Sequence, residues 1–197
     1  MNFNISTDLV SLIQKNDGLA KKQLFELYYG KMAAIAQRYC KNQNQAEEAL
    51  NEALNNCIQK LQHPGQTYTT DLDGFLEKEF VIACVAFIKN IRSEYYVAST
   101  VYASEASSKN YNLFANNELI DFNKTDNTVF IKALQQLVPS QRLIFNLHVI
   151  DGYTLQDAAA LLESSEQTVK SNLEKARFNL QKNIQECLNN VKYEQSF

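Results

Sequence analysis

Apolar residues recur at threes and fours along most of this chain, and that spacing predicts helices. Over residues 5–16, Leu9, Leu12 and Ile13 share one side. Over 19–40 the recurring set is Leu24, Leu27, Tyr28 and Ile35, and over 45–61 it is Ala46, Leu50, Ala53, Leu54, Ile58 and Leu61. HPGQTYTTDLDG (63–74) interrupts the period with Pro-Gly and predicts a loop. A fourth helix is predicted over 75–96. Its run FVIACVAFI has the character of a buried strand, but no second strand candidate lies nearby to pair with it, so helix is the better reading.

From Ser99 to Asn127 the period is lost. STVYASEASSKNYN is small and polar, which predicts a flexible linker, with a helical turn expected near Asn117–Phe122. Four more helices follow, over 128–136, 140–150, 155–162 and 165–189. Asp151-Gly152 closes the second of these. Thr154, with Asp157 three residues on, caps the third. Ser164 with Gln167 forms a capping box for the last, and Ser165 serves as well. The expectation is an all-α protein of two small helical domains, 1–97 and 128–197, joined by a flexible linker over 98–127, with a helix-turn-helix in the C-terminal domain.

Composition narrows this picture. Of 197 residues, 45% are apolar, and only 5 are Gly and 2 are Pro, which suits long helices around a packed core. The net charge is −3, so no general electrostatic grip on nucleic acid is written into the chain. Neither half is basic: residues 1–96 hold 10 basic and 11 acidic side chains, and residues 129–197 hold 7 of each. Cys40, Cys57, Cys84 and Cys187 are far apart, and His63 and His148 have no cysteine close in sequence. A zinc site is unsupported, no metal or other cofactor is expected, and the cysteines read as buried thiols. The N-terminus lacks the pattern of a signal peptide. The longest apolar run is far short of the ~20 residues that span a bilayer. A cytoplasmic protein without membrane insertion is expected.

No Gly-rich phosphate loop, paired histidines or nucleophile motif is present, and adjacent carboxylates such as Glu47-Glu48 point apart on a helix. No catalytic residue is expected and the chain is not read as an enzyme. The candidate chemistry lies in the last helix pair. The final helix buries Val169, Leu173, Ala176, Leu180 and Ile184. Its other face carries Gln167, Ser171, Glu174, Lys175 and Phe178, flanked by Thr168, Lys170 and Arg177. A helix in a DNA major groove reads base edges near its N-terminus and holds phosphate with lysine and arginine. Gln167, Thr168, Lys170, Ser171, Lys175 and Arg177 are the types for that work, whereas Glu166 and Glu174 suit only cytosine.

ALQQLVPSQRLIFNLHVIDGYTLQDAAALLESSEQTVKSNLEKARFNL (133–180) resembles the promoter-binding C-terminal domain of bacterial RNA polymerase sigma factors, and within them the extracytoplasmic-function (ECF) group. The signals are Leu137, Pro139, Gln141-Arg142, Asp151 to Thr154, Ala158-Ala159, Thr168 to Ser171, Leu173 and Ala176-Arg177. Two places where that family usually has glycine hold Glu163 and Gln167, and Glu174 and Lys175 stand where it is commonly basic or polar and arginine. LFELYYGKMAAIAQRYCKNQNQAEEALNEALNNCIQKL is similar to the family segment that docks on the polymerase clamp, which implies polymerase contacts by Glu47, Glu48, Asn51, Glu52 and Asn55. FVIACVAFIKNIRSEYY is similar to the segment that melts and reads the downstream promoter element. There Lys89, Asn90 and Arg92 are implied DNA contacts, with Tyr95 and Tyr96 as stacking faces.

The resemblance implies a sigma factor that binds core RNA polymerase and promoter DNA, with an anti-sigma factor as a further partner. The alternative is a sigma-like regulator that binds polymerase or an anti-sigma partner without reading a promoter. Ala83, Val97, Glu163, Gln167 and Glu174, where basic or motif positions have been lost, motivate it.

Overall fold

The structure is a computed structural model that describes residues 5–63, 71–91 and 125–194. All regular structure among the described residues is helical. The elements are α1 (Ile5–Gln14), α2 (Gly18–Tyr39), α3 (Gln43–Gln62), α4 (Leu72–Asn90), α5 (Asn127–Gln135), α6 (Pro139–Phe145), α7 (Leu155–Leu161) and α8 (Glu166–Glu194). The chain divides into two compact units, residues 1–87 and 88–197. The expected turn near Asn117–Phe122, and all but the last three residues of the 98–127 linker, lie outside the described residues.

In the first unit α1, α2 and α3 pack on one another. Each start and stop has a local cause. Asn16, at φ 64, takes the left-handed conformation that ends α1. The Asp17 N–H then reaches back to Leu12 O at 3.1 Å and the Asn16 N–H to Ile13 O at 2.9 Å, a Schellman closure with asparagine in the usual glycine place. The Asp17 side chain accepts from Ala20 N at 2.8 Å and so opens α2. Asn42 does the same for α3 through Gln45 N at 3.0 Å.

Ala46, Ala49, Leu50, Ala53, Leu54, Cys57 and Leu61 give α3 one continuous buried stripe. The buried stripe of α2 runs through Ala20, Leu24, Met32, Ile35, Ala36 and Tyr39. Leu27 falls outside it and is 59% exposed, and Leu12 of α1 is 43% exposed while Val10 is buried in its place. Both leucines were expected inside; spacing named a face without fixing its centre. The run Phe80 to Ile88 is helical, as expected, with Phe80, Val81, Ala83, Cys84, Val85 and Ile88 buried. Polar ties join the flanks of α4 to its neighbours: Tyr28 donates to Asp73, Lys31 pairs with Glu77 at 2.8 Å, and Lys60 pairs with Glu79.

The second unit is built around α8, against which α5, α6 and α7 pack. Val169, Leu173, Ala176, Leu180 and Ile184 are all buried, as the spacing predicts. Arg142 is almost fully buried. Its guanidinium Nη1 donates to Gln135 O at 3.1 Å and to Leu137 O at 2.8 Å, satisfying carbonyls at the end of α5. Gln141 is buried beside it and accepts from Asn179 Nδ2 at 2.8 Å, and Asn183 Nδ2 donates to Ala133 O at 3.1 Å. The two asparagines tie α8 to α6 and α5.

The expected helix over 140–150 is two things. After α6 the chain widens into a π turn, Asn146–Ile150. The buried Asn146 amide donates to Arg142 O at 2.9 Å. Gly152, at φ 74, then reverses the chain, and the Tyr153 N–H bonds Leu147 O at 2.9 Å. That bond spans one residue more than an ordinary helix closure, as a widened turn requires.

Candidate nucleic-acid interface

The helix pair α7–α8 is positioned by two backbone devices. Thr154 opens α7: its Oγ1 accepts from Asp157 N at 3.0 Å. At the far end the Ser164 N–H bonds Ala159 O at 3.0 Å and the Glu163 N–H bonds Ala160 O at 3.3 Å. This is again a Schellman closure, and Glu163 sits at its left-handed position with φ 51. The turn therefore has the backbone that glycine would give it, without the glycine. The cost of a side chain there is about 1 kcal/mol.

Of the two candidate caps for α8, the structure uses Ser165. Its Oγ accepts from Thr168 N at 3.1 Å, and the Ser165 and Thr168 hydroxyls bond each other at 2.8 Å. Thr168 is therefore engaged in the cap.

The remaining candidates lie as the pattern predicts. Gln167, Lys170, Ser171 and Arg177 are exposed, and Lys175 is half-buried. None of the five has a hydrogen-bond or ion-pair partner among the described residues. Glu166 and Glu174 are exposed on the same helix. Phe178, expected on the outer face, is half-buried.

Lys89, which belongs to the second unit, is half-buried and occupied. Its Nζ pairs with Glu163 Oε1 at 2.7 Å and donates to Leu161 O at 3.2 Å. The Lys89 ammonium holds the Glu163 carboxyl below the usual carboxylate range. Asn90 is exposed. Arg92, Tyr95 and Tyr96 lie outside the described residues.

On α3, Glu47, Glu48, Asn51, Glu52 and Asn55 are all exposed, opposite the buried stripe. Gln43 Nε2 donates to Glu47 Oε1 at 2.9 Å; Glu48, Asn51, Glu52 and Asn55 have no partner among the described residues. The strip carries three carboxylates and no cation, which suits a basic protein surface and repels DNA.

No group of three or more His, Cys, Asp or Glu side chains among the described residues is placed to hold a metal ion. No described helix is long and apolar enough to cross a membrane.

Several residues that carry the sequence resemblance prove to be architectural. Leu137, Pro139, Gln141, Arg142, Ala158, Ala159, Val169, Leu173 and Ala176 are all buried. What sequence reasoning missed is the cap role of Thr168 and the occupied state of Lys89. The first was within reach, because a serine three residues before a threonine at a helix start is a capping pattern.

Residues 128–180 match the family described as Sigma-70, region 4. Among solved structures, the chain is similar to the sigma factor RpoE in its co-crystal structure with the anti-sigma factor NepR from Bartonella quintana. The identity is 22%, with 83% of this chain and 96% of that one covered, at a TM-score of 0.46. No curated protein matches the chain.

Proposed function

We propose a role that proceeds from one premise: residues 128–180 match the family described as Sigma-70, region 4. The chain is a sigma factor of the ECF group, which directs core RNA polymerase to specific promoters and starts transcription in the cytoplasm. It performs no bond chemistry of its own.

The observation that carries this reading is the outer face of α8. Gln167, Lys170, Ser171 and Arg177 stand exposed and without partners among the described residues, on a helix whose start is fixed by the Ser165 cap. Lys170, Lys175 and Arg177 would hold phosphates of the upstream promoter element, while the first turn faces base edges. The α3 strip of Glu47, Glu48, Asn51, Glu52 and Asn55 would meet a basic surface of the polymerase clamp. Lys89, Asn90 and Arg92 would serve the downstream element, with Lys89 first leaving Glu163 and Leu161. An anti-sigma factor would act by covering either surface.

The test is run-off transcription with reconstituted polymerase. Lys170→Glu together with Lys175→Glu should lower promoter-specific initiation by at least about tenfold, because two phosphate contacts become repulsions. Binding to core polymerase and helical content should be unchanged. Normal initiation by the double variant would show that α8 is not the reader.

A second reading is favoured by Glu166 and Glu174, which place two carboxylates on that same helix. In it the chain occupies polymerase or an anti-sigma partner and reads no promoter. Tight polymerase binding with no initiation on any genomic fragment would select it.

A further inference from the structure

Two of the four hydrogen-bonding side chains at the start of α8, those of Ser165 and Thr168, are already committed, and of the other two only one can both donate and accept. Ser165 Oγ accepts the Thr168 N–H, and the Ser165 and Thr168 hydroxyls bond each other at 2.8 Å. Both are consumed in fixing the cap. Glu166, the first helical residue, carries a full negative charge and only accepts. Gln167 is the second helical residue, exposed, and without a hydrogen-bond partner among the described residues. It is the neutral amide of the turn, with a donor and an acceptor both free. Lys170 and Arg177, further along, offer donors and no acceptor.

We infer that Gln167 is a specificity-determining residue of this helix, and that it reads adenine in the major groove. The inference rests on the promoter-reading role proposed above and deepens it. Adenine presents an acceptor at N7 beside a donor at N6, and a carboxamide matches that pair with its NH2 and C=O in a bidentate fit. Guanine presents two acceptors there and cytosine a lone donor, so neither satisfies both ends of the amide. The position favours such a contact, because residues at the N-terminus of a recognition helix approach base edges most closely. The Ser165–Thr168 hydroxyl pair holds the backbone that carries Gln167, so its reach is set by a capped turn. Ser171 lies one turn further on the same face and contacts a neighbouring base pair or phosphate.

The experiment is an in vitro selection in which polymerase reconstituted with the full chain enriches duplex from a randomised library. The wild-type profile should contain one A·T pair whose replacement lowers binding by roughly tenfold. Gln167→Ala should erase the preference at that pair and leave the others. Replacing the adenine by 7-deazaadenine, which lacks N7, should weaken wild type and leave Gln167→Ala unaffected. Gln167→Glu, an acceptor only, should move the preference to cytosine at the same pair. An unchanged profile for Gln167→Ala would overturn the assignment while leaving the promoter-reading role intact. Enrichment of no sequence by the wild type, with polymerase binding confirmed, would overturn that role and the assignment with it.

Discussion

Within the second unit, two described positions share one left-handed backbone conformation but not one residue type. Gly152, at φ 74, reverses the chain after the π turn, and Glu163, at φ 51, reverses it after α7. Only the first has the residue that conformation favours. Gly152→Val should lower unfolding free energy by about 1–2 kcal/mol, because a β-branched residue at positive φ is strained. Glu163→Gly should do the reverse. Relief of a similar strain outweighs the added freedom of the unfolded chain, and the net gain is at most about 1 kcal/mol. Loss of the ion pair opposes that gain in part, since the Lys89 side chain is only 17% exposed and keeps just the Leu161 carbonyl among the described residues. Urea titrations of the three proteins measure both signs.

Cys57 offers a test of burial. Its thiol is pushed up to about 12, first by desolvation and then by the charge of Glu79, with Lys60 opposing. Its folded pKa thus lies above the unfolded one, so the neutral thiol's contribution is complete below the unfolded value of about 8.5. It drains away as pH rises toward 12, because the unfolded thiol ionises first. The stability difference between wild type and Cys57→Ala should therefore shrink between pH 8 and pH 10.5. A difference independent of pH would show that the thiol meets water.

At the scale of elements, the caps decide boundaries. Ser165→Ala should cost about 1 kcal/mol, whereas Ser164→Ala should stay within about 0.5. Thermal unfolding of the two variants compares them directly. Periodicity found each described helix and placed most ends within three residues. It read the buried stripe of α8 from Val169 to Ile184, which the structure continues to Cys187, because five apolar residues on a polar helix leave no other face. It placed Leu27 wrongly because a long helix with scattered apolar residues has several near-equal faces, and only its neighbours choose among them. The π turn was invisible for a related reason: widening one turn shifts a backbone bond and leaves the apolar period almost unchanged. The exposed candidates were legible as exposed, since polarity and face agree. The occupation of Thr168 and Lys89 was not, because hydrogen bonding depends on distances that spacing does not carry.

For the whole molecule, charge is the governing quantity. A net charge of −3 gives the free chain no general pull on DNA, so the local cations of α8 carry the proposed contact with the upstream element. With Lys170, Lys175 and Arg177 each neutralising one phosphate, the logarithm of affinity should fall against the logarithm of salt with a slope of about −3. A fluorescence titration from low to moderate salt gives that slope. A steeper one would require basic residues beyond α8, and a flat one would remove phosphate contact from the account. Under the proposed role, weak binding by the free chain is the expected background, and selectivity is expected only when polymerase holds it in place.

The four buried thiols have a consequence in time. Cys40, Cys57 and Cys84 lie in the first unit and Cys187 in the second, all shielded. A thiol reagent can reach each of them only when its surroundings open, so the labelling half-time at each site is a clock for that opening. Mass spectrometry of the digested protein reads the clocks separately. Equal rates at all four would mean that the protein opens as one body. An early mark at Cys187 alone would mean that the second unit breathes on its own schedule, exposing its interior while the first stays shut.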